Sequence, residues 1–431
     1  MRIDEIFSFE KGVLQSSKCV PGDFDFITAS SEWKTHNEYT HDCEALIFAA
    51  AASGSLGRTH YVNGKFVSSD LCFIITPKDQ KNLPVDLKFY HILFNELKDE
   101  IVRNTKAGTS KEAIGLNSFG KYELPYFDID TQIEIKNLFV NSEEIKSSLT
   151  TELNKQVGLV KKLRQQLLQD AVQGKLVEQN KKDEPASELL KKIKAEKEKL
   201  IAEKKLKKEK EKLIVNQEDV PFELPKNWSW CNLGELAILN ARIGWKGLNA
   251  SEYKKEGPLF LSVHSLNYGD YVDYSQAFHI SQERYDESPE IMLKDNDILI
   301  CKDGAGIGKL GIIKDLKEQA TTNSSLLVIR CFNNLNVKFI YYYLISGHFQ
   351  NIVQARIMGA TTPHLYQRDL VHFYVALPPL AVQNRIVQKV EELMQYCNEL
   401  ETSIKQSEAQ NEKLLQQVLR EALRKEPLVS V

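Results

Sequence analysis

The chain repeats itself at a spacing of about 250 residues, and no other feature constrains its fold as much. Gln132 returns as Gln383, Ile135 as Ile386 and Gln165-Gln166 as Gln416-Gln417, each 251 positions later with no gap across the stretch. Upstream, Leu124-Pro125 answers Leu377-Pro378, and Lys88-Phe89-Tyr90 answers Lys338-Phe339-Ile340. The strand-like Leu71-Cys-Phe-Ile-Ile75 answers Leu326-Leu-Val-Ile329, Gly54-Ser-Leu-Gly57 answers Gly308-Lys-Leu-Gly311, and Ala107-Gly-Thr-Ser110 answers Gly359-Ala-Thr-Thr362. A period this long is too large for a solenoid unit and marks duplication of a whole module together with its helix.

After each Leu-Pro a long helix opens, where proline's missing N–H costs nothing. In the second copy Ile386, Val390, Leu393, Cys397, Leu400, Ile404, Ser407, Asn411, Leu414, Val418 and Ala422 fall at alternating steps of four and three, which is a heptad seam. The first copy carries Ile135, Phe139, Leu149, Leu153, Val160, Leu163, Leu167 and Ala171 in the same register. The spacing predicts helices over about 131–176 and 381–425, each roughly 60–68 Å long at 1.5 Å per residue. A seam of that length must bury itself against something equally long, and the other copy is the obvious partner. The order module–helix–module–helix lets the helices pair antiparallel within one chain. Ser407 and Asn411 are polar seam positions, which cost stability but fix register. The expected fold is α/β (α+β), with two modules joined by two long antiparallel coiled-coil helices and an internal pseudo-two-fold repeat.

Between 177 and 220 the composition shifts. Lys181–Lys212 holds thirteen lysines against eight acids and no aromatic residue. Scattered opposite charges at helical spacing read as a solvated helical linker rather than a basic arm for nucleic acid. Asp219-Val-Pro-Phe-Glu-Leu-Pro225 then breaks the helix and opens the second module.

The chain has 56 basic and 59 acidic side chains, net −3, and residues 1–140 hold 15 basic against 20 acidic. Binding to DNA by bulk charge is therefore excluded, and any such binding uses local basic patches or shared phosphate contacts. Seven cysteines without a CxxC pair argue against a disulfide scaffold and for a reducing compartment. No uncharged apolar run is long enough for a transmembrane helix, and Met1–Lys11 does not look like a signal peptide. The expected location is the cytoplasm, with no membrane contact.

Familiar catalytic motifs fail on inspection. Asp303-Gly-Ala-Gly-Ile-Gly-Lys-Leu310 lacks the first Gly and the final Ser/Thr of a P-loop, and Leu310-Gly-Ile-Ile313 continues it as strand, so with Asp297-Ile-Leu-Ile300 it reads as a β-hairpin. Leu377-Pro-Pro-Leu380 lacks the amide and aromatic residue of a methyltransferase motif, and no Ser/His/Asp elbow is present. His36, His41, Cys43 and His60 match no common zinc spacing, so no metal site is expected. What remains is a set of polar and aromatic loop clusters. The first module offers Lys34, His36, Asn37, Arg58, Lys106 and Lys111, beside Trp33. The second offers Arg242, Trp245, Lys246, Lys302, Lys309, Arg356, Thr361, Thr362, His364 and Arg368. Lys and Arg bind phosphate, while Arg, Asn, Gln and His read base edges, so these are the candidate DNA-binding residues.

Leu377-Pro-Pro-Leu-Ala-Val-Gln-Asn-Arg-Ile386, Leu167-Leu-Gln-Asp-Ala-Val-Gln-Gly-Lys-Leu176 and Glu223-Leu-Pro-Lys-Asn-Trp228 together resemble the specificity subunits of type I restriction-modification systems. The resemblance covers almost the whole chain. It implies target-recognition domains over 1–128 and 221–378, long helices over 129–178 and 379–426, and a charged helical linker over 179–220. It further implies a non-catalytic subunit that reads a bipartite site in double-stranded DNA, docks two modification (methyltransferase) subunits and joins restriction (helicase-nuclease) subunits in phage defence. S-adenosylmethionine, Mg2+ and ATP would then belong to those partners, with no cofactor in this chain. The first module departs from the pattern, because Arg2-Ile-Asp-Glu-Ile-Phe7 lacks the Leu-Pro-x-x-Trp opening of the second. The reading from another class is a coiled-coil adaptor without a DNA role, which the acidic first module favours slightly.

Overall fold

The computed structural model describes the chain except residues 52–53, 108–112, 207–214, 217, 219, 242–247, 267–268, 358–363 and 424–431. It divides into two compact units, 1–154 with 405–431, and 155–404.

The first unit begins with a single helical turn, Ile3–Ile6, in which the Glu5 carboxylate accepts the Arg2 N–H at 2.9 Å. A six-stranded sheet follows in the order Phe7–Lys11, Cys72–Pro77, His41–Ala49, Thr59–Ser68, Phe24–Ile27, Lys34–His36. All neighbours are antiparallel except Phe24–Ile27 on Thr59–Ser68, which is parallel. The central strands carry runs such as Ala45-Leu-Ile-Phe-Ala49, buried on both faces. One face packs on an aromatic cluster of Phe7, Phe48, Phe73, Phe94 and Phe119, with Phe48 and Phe119 centred 4.5 Å apart.

The second unit repeats this plan. Its opening turn, Leu233–Leu236, is held by Glu235, whose carboxylate accepts the Asn232 N–H at 2.8 Å. The sheet runs Ala237–Ala241, Leu326–Cys331, Ile298–Cys301, Leu310–Ile312, all antiparallel, which reproduces the first four strands of the other module in order and sense. The hairpin read from Asp297–Ile300 and Leu310–Ile313 is thus present. In each module the chain end and start are also joined alike. The Ile3 N–H donates to Tyr122 O at 2.9 Å, and the Leu233 N–H donates to Phe373 O at 2.8 Å.

Each module then connects to its long helix through the same buried device. Asp86 caps helix Leu87–Glu96 by accepting from the N–H groups of Lys88 and Phe89, and Asn336 caps Val337–Ile345 by accepting from Lys338 and Phe339. Gln132 and Gln383, on the first turn of the long helices, are fully buried. The Gln132 Oε1 accepts the Asp86 N–H at 2.8 Å, and its Nε2 donates to Phe127 O at 2.8 Å and Pro84 O at 3.0 Å. Gln383 Oε1 accepts the Asn336 N–H at 2.9 Å, and its Nε2 donates to Pro378 O at 3.0 Å. The repeat that is visible as 251-residue spacing is therefore a repeat of hydrogen bonds.

The long helices span Ile129–Val172 and Leu380–Leu423, 44 residues each. The first stops four residues short of the expected 176. Gly174 ends it at φ +72°, and a side chain there would collide with the Trp228 ring, whose Cζ2 would lie 2.8 Å from a Cβ. Within the first unit Ile135 shares a core with Ala422, while Leu149 and Leu153 line a cleft with Asn411 and Leu415. Within the second unit Ala171 and Val172 share a core with Val382 and Ile386, while the Arg164 guanidinium donates to Asn398 Oδ1 at 2.7 Å. One helix number rises as the other falls, so the pairing is antiparallel in both units. Val160, Val390 and Cys397 are buried as the seam requires, and Leu167, Leu393, Ile404 and Val418 are half-buried.

Three expected seam residues are corrected: Leu163, Leu400 and Leu414 are 42%, 49% and 61% exposed. The next residues along, Arg164, Glu401 and Leu415, are half-buried. Arg164 also reaches Glu401 Oε2 at 3.3 Å, so at this level the pair is bridged by charge rather than by leucine. An α-helix turns at 3.6 residues, so a strict heptad stripe drifts off the contact line unless the helices supercoil fully.

The linker also differs from a merely solvated helix. Ala186–Ala202 carries the exposed Lys191–Glu188 pair, and its Lys192 pairs with Glu184 just before it, yet the helix buries Ala186, Leu189 and Ile193 in the second module's core. Arg385 ties the segment before it down, with Nη2 2.6 Å from Asp183 Oδ2, a bond that holds the Asp183 carboxyl below its usual range.

Replacing Gln132 or Gln383 by Leu keeps the volume but leaves buried amide and carbonyl groups unpaired, which costs about 3 kcal/mol. Hydrogen exchange is expected to quicken in Leu87–Glu96 for Gln132→Leu and in Val337–Ile345 for Gln383→Leu, each change confined to its own unit.

Candidate nucleic-acid interface

In the first module the loop polar groups split into exposed and structural sets. Lys34 lies on the outer strand Lys34–His36 and is exposed, as are Asn37 and Lys106. His36 is only 8% exposed, and its Nδ1 sits 3.0 Å from the backbone N and O of Val20, so it braces the strand rather than facing a ligand. Arg58 is likewise occupied: Nη1 donates to Ala29 O at 3.1 Å and to Ser55 Oγ at 3.4 Å. His60 completes that clamp. Its Nε2 lies 2.8 Å from Ser30 O, and its Nδ1 accepts from Trp33 Nε1 at 3.3 Å. Burial lowers its pKa, which agrees with a neutral ring in that tautomer. The pair Arg58 and His60 therefore fixes loop 29–33 and presents the partly exposed Trp33 indole. Beneath Trp33 lies an open cleft of about 740 Å3, lined among others by Tyr61, His91, Phe139 and Val140.

His41 is similarly spoken for. It stacks on Phe66, 5.2 Å between centroids, with Nε2 2.8 Å from Glu10. Among the described residues no group of three His, Cys, Asp or Glu side chains is placed to hold a metal ion. None of their helices is long and apolar enough to cross a membrane. No cysteine is in a disulfide.

In the second module the hairpin loop and the segment before the last strand are stitched together. The Leu365 N–H donates to Lys302 O at 2.9 Å, and Asp303 and His364 form a lone antiparallel bridge. The Asp303 carboxylate bonds to Lys302 Nζ at 3.0 Å and, through its other oxygen, to His364 Nδ1. The His364 ring sits 4.4 Å from that of Tyr366, and the Arg368 guanidinium lies 4.9 Å from the centre of the same Tyr366 ring. Tyr366, Arg368 and Lys309 are exposed. Lys302, His364, Tyr366 and Arg368 thus form one ordered surface. Sequence reasoning passed over Asp303, whose signal was its place at the head of the glycine-rich turn. Lys111, Arg242, Trp245, Lys246, Thr361 and Thr362 lie outside the described residues, as does the side chain of Arg356, whose backbone is in helix Gly347–Ile357.

The family described as "Type I restriction modification DNA specificity domain" matches residues 1–159 and 225–408, which covers both modules and most of both long helices. The chain belongs to this family. Among its curated relatives are the EcoAI specificity subunit of Escherichia coli, 32% identical over 61% of this chain and 44% of that protein, and the EcoEI specificity subunit of the same organism, 28% identical over 57% and 42%. The chain spans less than half the length of these relatives. The fold is also that of solved members of the type I family. A chain from a study of complex assembly and conformational transition of the type I R-M system matches at a TM-score of 0.55 and 17% identity, covering 99% of this chain and 97% of that one. The HsdS subunit from Thermoanaerobacter tengcongensis matches at 0.51 and 17%, covering 99% and 96%.

Arg58→Ala is expected to lower stability by about 2 kcal/mol, the worth of charged hydrogen bonds in a half-buried site. It should leave the salt dependence of DNA binding unchanged, whereas loss of a phosphate contact reduces the slope by about one.

Proposed function

We propose that this chain is the DNA-reading subunit of a type I restriction-modification complex, with each module reading one half of a bipartite site in double-stranded DNA. The observation that carries this is the duplication itself: two modules of one strand order, each tied to a long helix by the same buried glutamine. A pair of related readers on one frame suits half-sites spaced by the turn of B-DNA, roughly 34–36 Å. Loop sequences differ between the modules, so the half-sites differ. Lys34, Asn37, Lys106 and Lys111 in the first module, and Arg242, Trp245, Lys246, Lys302, Lys309, Arg356, Thr361, Thr362, His364 and Arg368 in the second, are the proposed DNA-facing residues. The subunit is non-catalytic. Methyl transfer with S-adenosylmethionine and cleavage with Mg2+ and ATP are assigned to partners, and the complex works in the cytoplasm.

The helices supply a reason for two copies of the modification subunit. Ile145 is 53% exposed and Tyr396, 251 residues later, is 54% exposed. Leu163 and Leu414 are another such pair. Large apolar side chains exposed on a helix are expected where a partner covers them, and their recurrence at the repeat spacing fits two copies of one partner. Each unit holds one set, Ile145 with Leu414 and Tyr396 with Leu163.

Changing Ile145 and Leu414 together to Asp is expected to reduce the bound modification subunits from two to one by native mass spectrometry, with the melting temperature of the free chain unchanged. Replacing 221–378 by the same region of a relative is expected to change one half of the methylated sequence and leave the other. A change in both halves or in neither would refute the modular reading.

A further inference from the structure

The second module contains a carboxylate–imidazole pair in a surface that is otherwise cationic and aromatic. Asp303 heads the turn Gly304–Gly306, where Gly304 takes φ +75° and lets the chain double back. One carboxylate oxygen holds Lys302 Nζ and the other holds His364 Nδ1. None of the three is fully withdrawn from solvent: the side chains of Lys302, Asp303 and His364 are 13%, 33% and 28% exposed. The backbone bridge between Asp303 and His364 fixes the pair from behind, and the Tyr366 ring flanks the imidazole. A surface built only for phosphate would not place a carboxylate at its centre, because like charges repel.

We propose that Asp303 and His364 form a base-reading pair within the DNA-facing surface of the second module. Asp303 accepts the Nδ1–H of His364 and so sets the tautomer, which leaves Nε2 as an acceptor. The matching donor in the major groove is the exocyclic amino group of adenine (N6) or cytosine (N4). Asp303 is thus a positioning residue for His364 and also holds the Lys302 ammonium in place for the adjacent backbone. The inference rests on the reading of the second module as a DNA reader.

The test selects bound duplexes from a library of randomised DNA with the full-length chain assembled with its modification subunits, comparing wild type, Asp303→Ala, Asp303→Asn and His364→Ala. Asp303→Ala and His364→Ala are expected to lose about tenfold of discrimination at the same single base pair of one half-site, with the other half-site unchanged. Asp303→Asn, whose amide oxygen still accepts the Nδ1–H, is expected to restore most of it. The double substitution Asp303→Ala/His364→Ala should cost no more than either alone. Uniform weakening at every position would make the pair a structural staple and overturn the proposal, as would full discrimination in His364→Ala. A wild-type complex that selects no sequence at all would instead overturn the DNA-reading function, and the pair with it.

Discussion

A fully buried glutamine on the first turn of each long helix is the contact on which the architecture depends. Gln132 and Gln383 each take the backbone N–H of a residue that caps another helix, and each returns its amide hydrogens to carbonyls at its own helix entrance. Neither partner can find water there, so the bond fixes the angle at which the module leaves the frame. The cap residues are themselves engaged. Asp86 receives Lys136 as an ion pair as well as two helix N–H groups, and Asn336 donates its Nδ2 to Asn384 Oδ1 at 2.8 Å. Packing along the seam then carries the long helices, with charge at Arg164 and polarity at Asn411 interrupting the apolar contacts.

How much of this was legible in the sequence follows from which interactions are periodic. The helices, their antiparallel order and the module repeat are encoded in spacing, and spacing is visible in one sequence. The drift of the seam from Leu163 to Arg164 and from Leu414 to Leu415 is not, because it depends on how far each helix supercoils. Leu163 and Leu414 are pseudo-equivalent, whereas Leu400 departs alone, since its counterpart Leu149 stays half-buried. The linker helix was read from its charges, yet Leu189 and Ile193 at a spacing of four carried the signal for a buried face. In the loops the sequence offered residue types without geometry. His36 and Arg58 look like readers and serve as braces, while Asp303 looked like a failed nucleotide motif and organises a surface.

The near-zero net charge has a physical place in this account. Under the proposed function, a subunit that shared its phosphate contacts with partners would gain little from a strong field of its own. What it would supply is order: side chains fixed before a ligand arrives lose less entropy on binding. Both modules show that economy. Arg58 and His60 hold the loop that carries Trp33, and Asp303 holds Lys302 and His364.

The central claim is that the frame closes on itself within one chain. It is tested most directly by cross-linking a pair of cysteines introduced as Leu149→Cys and Asn411→Cys in a chain whose seven native cysteines are replaced, using a short bismaleimide. The account predicts an internal cross-link in a product of single-chain mass, mapped by peptide mass spectrometry. Products of double mass, with residue 149 joined only to another chain, would contradict it.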